Sequence, residues 1–259
     1  MSTVWVEDQR TVATTGVTFR RGGTGPPLVV LHHDFGTLPE LPIYDYLAES
    51  FDVLIPQHPG FGLSERPEWM RSVRDLAVLY RGLLAECDVE RPVLLGLGFG
   101  GWVAAEMTTM AAGDVERLVL VGPMGIRPAE DFILDQALVG YVDYARAAFS
   151  DQARFDAVYG AEPTSDQLEQ WDICREMCFR IAWKPYMYSL TLPHLLTSVR
   201  TPTLLVWGAQ DEIVPASVAS QFSDALPNAT LSVVEQCGHA VDMEQPEALH
   251  RLINEFCAG

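Results

Sequence analysis

Four glycines in six residues, Gly96-Leu97-Gly98-Phe99-Gly100-Gly101, stand between the apolar run Val93-Leu94-Leu95 and the helix-like stretch Trp102-Val103-Ala104-Ala105-Glu106-Met107. A strand that turns sharply into a helix passing close behind it needs residues without a β-carbon. The pattern therefore commits this part of the chain to a strand, a tight turn and a helix. Similar apolar runs recur at Val17–Arg20, Leu28–Leu31, Phe51–Ile55, Leu118–Val121, Thr203–Trp207 and Leu231–Val234. Val17–Arg20 reads as an early antiparallel strand, and the others alternate with helical stretches, which predicts βαβ units and a parallel sheet. Ser72 to Cys87 has helical spacing at Val73, Leu76, Ala77, Tyr80, Leu83 and Leu84, with Ser72 as its N-cap. Gly16, Gly22, Gly23, Gly25, Pro26 and Pro27 punctuate the opening turns.

The interval 125–200 differs from the rest. It lacks strand signals and carries helical stretches rich in aromatic residues and Met: Phe132-Ile133-Leu134, Tyr141 and Tyr144, Trp171 to Trp183, and Pro185-Tyr186-Met187-Tyr188. An excursion of this length between two strands of one sheet reads as a helical insertion, or cap, over the strand ends. The expected organisation is a core of residues 1–124 and 201–259 with a cap of residues 125–200. Most of the cap aromatics are expected to pack the insertion against the core. A few should face the cleft, because open α/β sheets place ligands beyond the carboxyl ends of their strands.

Five landmarks occur in a fixed order: Leu31-His32-His33-Asp34-Phe35-Gly36, Pro59-Gly60-Phe61-Gly62-Leu63-Ser64, the glycine-rich turn at 96–101, Trp207-Gly208-Ala209-Gln210-Asp211, and Gly238-His239. With these motifs, from Gly16 to Phe256, the chain resembles the α/β-hydrolase superfamily, in its capped, epoxide hydrolase-like and C–C hydrolase-like branch. The resemblance implies an eight-stranded, mostly parallel sheet flanked by helices. It also implies that the glycine-rich turn is the nucleophile elbow, G-x-S-x-G, with Gly98 in the slot of the serine.

By the same resemblance Asp211 is the acid and His239 the base, in the chain order nucleophile, acid, histidine. Asp211 would accept a hydrogen bond from one ring nitrogen and leave the other free to take a proton. An oxyanion hole would come from the backbone N–H of Phe99 and from Asp34 or Phe35. Asp34 departs from the His-Gly often found there. Its carboxylate would repel developing negative charge unless protonated or turned away, and it could instead transfer a proton, contact substrate, act as a nucleophile or bond its own loop. His33, Trp102, Met124, Tyr141 and Trp183 are the candidate pocket residues.

A glycine at position 98 excludes the usual acyl-enzyme. The expected function is an enzyme that uses His239 and Asp211 to move protons on a small hydrophobic carbonyl, ester or lactone-type molecule, activating water or deprotonating the substrate. Three alternatives stay open: a non-catalytic small-molecule-binding protein, a serine hydrolase engineered to inactivity at Gly98, and a nucleophile relocated to Cys237 or Ser64. Among 259 residues the formal net charge of −18 argues against nucleic acid, which requires a basic surface. No run has the length of a membrane span, and Met1-Ser2-Thr3-Val4-Trp5 lacks signal-peptide features, so a cytoplasmic location is expected. Gly96 to Gly101 lacks the acidic partner of a dinucleotide fingerprint. The five cysteines, at 87, 174, 178, 237 and 257, form neither a disulfide framework nor a zinc pattern. No metal, nucleotide or flavin is expected. A homodimer is compatible with the chain, which carries nothing that sets an oligomeric state.

Overall fold

The computed structural model describes residues 3–111 and 113–259. Met1 and Ser2, read above for leader features, lie outside that range, as does Ala112. The chain opens with strands β1 (Val6–Val12), β2 (Thr15–Gly23) and β3 (Pro27–Leu31), then helix α1 (Pro42–Ala48), strand β4 (Asp52–Pro56) and helix α2 (Val73–Glu86). Strand β5 (Val93–Leu97), helix α3 (Phe99–Met110) and strand β6 (Arg117–Val121) complete the first half. Four helices follow without a strand: α4 (Tyr141–Ala147), α5 (Gln152–Tyr159), α6 (Ser165–Ala182) and α7 (Leu192–Leu196). The chain then returns to the sheet through β7 (Thr203–Gly208), α8 (Ala216–Ala225), β8 (Ala229–Val234), α9 (Val241–Glu244) and α10 (Pro246–Ala258).

The eight strands form one sheet in the order β1-β2-β4-β3-β5-β6-β7-β8. The β1–β2 and β2–β4 pairs are antiparallel and the others parallel. β5 and β7 are buried at every residue, as a parallel strand covered on both faces must be. Helix α2 forms where its apolar spacing placed it, and Ser72 caps it by accepting the Asp75 N–H at 3.1 Å.

The structure adds one strand and corrects three expectations. β1, Val-Glu-Asp-Gln-Arg-Thr-Val, carries no apolar run, because it is an exposed edge strand that pairs among the described residues with β2 alone. Its hairpin turns at Ala13 and Thr14, both at positive φ, so the turn lacks a glycine signal, and Gly16, Gly22 and Gly23 lie inside β2. Phe132–Leu134 and Pro185–Tyr188 are not helical. The first is an extended strap, its Leu134 N–H donating to Ile213 O and its Leu134 O accepting from the Tyr186 hydroxyl. The second lies beyond the end of α6 at Ala182; Met187 has φ +56, and Gly125 N–H donates to Met187 O.

Candidate active site

The residues singled out by the motifs arrive together because the parallel strands all point the same way. β3 ends at Leu31 before His32, His33 and Asp34; β5 ends at Leu97 before Gly98; Asp211 follows β7 and His239 follows β8. Gly98 has φ +50 and ψ −110, a backbone that side-chain-bearing residues adopt only under strain. A β-carbon at Gly100 would lie 2.1 Å from Leu31 O, so α3 can cross the end of β3 only as glycine there.

His239 is fully buried, and its Nδ1–H donates to Asp211 Oδ2 at 2.8 Å. The other Asp211 oxygen accepts from the Ile213 and Val214 amides at 2.9 and 2.8 Å, which fixes the carboxylate. Burial opposes the charged imidazolium, but the facing Asp211 carboxylate outweighs it, and the His239 pKa lies above the ordinary histidine value. The remaining nitrogen, Nε2, has no partner among the described residues. A β-carbon at Gly98 would sit 2.6 Å from it.

His33 forms a second pair of the same kind. Its Nε2–H donates to Asp242 Oδ1 at 2.8 Å and its Nδ1 has no partner among the described residues. That Nδ1 would lie 2.7 Å from the same β-carbon at Gly98. Asp34 is turned towards the helical segment, where Gln136 Nε2 and the Tyr144 hydroxyl, the latter at 2.7 Å, donate to its Oδ2. Its Oδ1 has no partner among the described residues. The repulsion expected from this carboxylate is thus met by two donors on one oxygen. Asp242 and Gln136 went unnoticed in the sequence, because contacts spanning 209 and 102 residues leave no local pattern.

The amides expected to bind an oxyanion are in suitable surroundings. Phe99 opens α3, where early N–H groups have no partner within the helix. Asp34 and Phe35 occupy the middle of a turn closed by Gly36 N–H on His33 O at 3.1 Å. The pocket residues divide. His33 belongs to the cluster, and Met124 is buried with its N–H donating to Gly98 O at 3.1 Å. Trp102 packs edge-on to Phe99 and directs its N–H to Glu106, into the core. Tyr141 bonds Asp172 under the Arg175 guanidinium at an exposed edge, and Trp183 is 40% exposed against Phe179 and Tyr186. Tyr141 and Trp183 therefore do not line the buried cluster. Both belong to the outer face of the helical segment, whose aromatic content did not say which side each ring takes.

Ser64 donates to Gln57 O and accepts from the Thr18 amide, a turn-binding role. The Cys237 thiol is buried and pushed far above its ordinary pKa by desolvation and by Glu244, which suppresses the thiolate. Behind the cluster, His32 donates from Nδ1 to His33 O and accepts the His58 N–H at Nε2; burial lowers its pKa to about 3. Glu244 binds the Gly238 amide at 2.6 Å, the Ser150 amide and hydroxyl, and the Asp151 amide, tying the His239 loop to the helical segment.

His33, Asp34 and His239 have no exposed surface. A cleft of about 330 Å³ lies between α6 and the loops after β3 and β4, lined among others by Phe35, Gly36, Phe61, Gln170 and Cys174. Phe35 stacks on His33 with centroids 4.7 Å apart, so its ring stands between this cleft and the imidazole.

The profile of the alpha/beta hydrolase family matches residues 25–252. The chain belongs to that family. It is 24% identical over 257 residues to 2-hydroxymuconate semialdehyde hydrolase of Pseudomonas sp. (strain CF600), covering 91% of this chain and 88% of the relative. It is 27% identical over 231 residues to a 2-hydroxy-6-oxononadienedioate/2-hydroxy-6-oxononatrienedioate hydrolase of Cupriavidus pinatubonensis, covering 81% and 77% of the two chains. The solved structure of 2-hydroxy-6-oxo-6-phenylhexa-2,4-dienoate hydrolase from Rhodococcus sp. strain RHA1 superposes with a TM-score of 0.76 at 21% identity over the whole of both chains. That likeness establishes the fold, an eight-stranded, mostly parallel sheet flanked by helices. Among the described residues no helix is long and apolar enough to cross a membrane.

Proposed function

We propose that this member of the family is an enzyme acting on small hydrophobic carbonyl compounds without an acyl-enzyme intermediate. The observation that carries the reading is the free lone pair of His239 Nε2. It is buried, backed by Asp211, and directed at the point where a side chain at residue 98 would begin. In this reading His239 takes a proton from water or from the substrate, Asp211 holds its tautomer, and the amides of Phe99 and of Asp34 or Phe35 bind the developing oxyanion. Residues 125–200 act as a cap, and Phe35 must move to admit substrate. No Lys or Arg is buried among the described residues, which favours a neutral carbonyl, ester or lactone over the carboxylated substrates in the relatives' names.

The idea of a serine hydrolase silenced at position 98 meets a steric objection. A β-carbon there would overlap two imidazoles, each tethered to a carboxylate at 2.8 Å. A binding protein without turnover is the second reading, favoured by the complete burial of His33, Asp34 and His239. A panel of activated esters, lactones and vinylogous diketones tests both. Turnover that His239→Ala abolishes, with no acyl adduct by intact mass, supports the enzyme. A covalent adduct or a pre-steady-state burst refutes it, and ligand affinity with no turnover supports the second reading.

A further inference from the structure

Three acceptor atoms converge in the buried cluster. His33 and His239 each spend one N–H on a carboxylate, which leaves His33 Nδ1 and His239 Nε2 as bare lone pairs. Asp34 spends Oδ2 on two donors and keeps Oδ1 free. All three atoms are buried and unpartnered among the described residues. One ligand atom from each residue lies within 4.8 Å of the others. A single water has two protons to give and cannot satisfy three such acceptors, whereas a cation can accept all three. We propose that His33 Nδ1, Asp34 Oδ1 and His239 Nε2 bind one divalent first-row transition-metal ion beside Gly98.

Three further features fit an ion. Each imidazole is backed by a carboxylate, Asp242 or Asp211, the arrangement that orients metal-bound histidines and raises their basicity. A β-carbon at residue 98 would lie 2.6 Å and 2.7 Å from the two nitrogens, so a side chain there would crowd the ligands that glycine leaves open. The carboxylates of Asp34, Asp211 and Asp242 are buried within one cluster with no buried Lys or Arg among the described residues, and a divalent ion would offset that charge. Two imidazoles and one carboxylate suit zinc or iron and leave a coordination position open. Bonds of about 2.1 Å require the side chains to close by about an ångström. Two adjacent ligands, His33 and Asp34, with a third, His239, more than 200 residues away give no ligand-spacing motif, which is why the sequence predicts no metal.

The proposal goes beyond the proton-transfer reading and alters one part of it. With an ion in place His239 is a ligand, and the open position would hold a water or a substrate oxygen. The test is therefore binding, with activity read separately. Tag-free full-length protein, stripped with a chelator, is titrated with Zn²⁺ by calorimetry and with Co²⁺ by visible absorption. One equivalent should bind, with a Co²⁺ spectrum that lacks thiolate charge transfer. Asp34→Asn and His239→Gln should abolish binding, and Asp242→Asn, which acts through His33, should weaken it about 10–100-fold. Gly98→Ala should also block it. Folded wild-type protein that takes up neither ion, or a thiolate-to-cobalt band, overturns the site. Turnover by metal-free protein that His239→Ala abolishes, without metal uptake, would overturn the site and leave proton transfer standing. Binding of one ion without turnover would do the reverse.

Discussion

Gly98→Ala adds a single methyl group at the most crowded point of the molecule, and its cost can be worked from the structure. The backbone at φ +50 and ψ −110 charges any side chain about 1–2 kcal/mol. The new carbon would lie 2.6 Å from His239 Nε2 and 2.7 Å from His33 Nδ1, so the two rings together must yield several tenths of an ångström. Neither is free to move, since each is held by a buried carboxylate at 2.8 Å. Overpacking of this kind costs roughly 1–3 kcal/mol. The sum is about 2–5 kcal/mol, and a value near 3 would lower Tm by roughly 6–12 °C in a chain of this size. Gly113→Ala is the control. Its φ is +90 with nothing within 4 Å of the new carbon, so it bears only the backbone part. Thermal and urea unfolding of both variants and the wild type separates strain from overlap. Equal losses in the two variants, or a Gly98→Ala protein as stable as wild type, would refute the claim that the cluster is built around a glycine. So would Gly98→Ser if it formed an acyl-enzyme at wild-type stability.

Other expectations follow from the same contacts. Asp211→Asn should leave the fold intact but reverse the donor and acceptor facing His239, lowering kcat by several orders of magnitude in any reaction found for the wild type. Glu244→Gln should cost about 2–4 kcal/mol in urea unfolding, because an amide nitrogen would face donors that a carboxylate now accepts. Burial and the neighbouring His32 hold the His58 pKa well below its ordinary value, and its Nδ1 bonds the Tyr80 hydroxyl. A depressed histidine pKa means that the unfolded chain binds the proton first. Stability should therefore be unaffected by His58 above about pH 6.5 and fall below it, with a slope of about 1.4 kcal/mol per pH unit that His58→Gln removes. Tyr144→Phe should remove one of the two donors to Asp34 and destabilise the protein by about 1–3 kcal/mol in thermal unfolding.

The fold was legible because its signals are local. Buried strands such as Val93–Leu97 and Thr203–Gly208 are largely apolar, and Gly96 and Gly100 lie where a β-carbon would strike neighbouring backbone. Asp211 and His239 were legible by resemblance and lie 2.8 Å apart. β1 was not legible, because a polar edge strand takes its order from β2 and not from its own composition. The second half of the cluster was hidden for a different reason. His33 meets Asp242, and Asp34 meets Gln136 and Tyr144, only after the sheet and the helical segment have assembled. Tyr141 and Trp183 erred in the opposite sense: aromatic residues in a helical segment are equally at home on its outer surface, where both are found.

Glu244 has a mechanical consequence. Its two oxygens grip Gly238, next to His239, and Ser150 with Asp151, between α4 and α5, so one carboxylate rivets the floor of the cluster to its roof. Lifting the roof by more than about an ångström must either shear that rivet or drag the imidazole along with it. Under the function proposed above, entry of a ligand and alignment of His239 therefore draw on the same few bonds, and a molecule that opens the cluster wide enough to enter also loosens the imidazole.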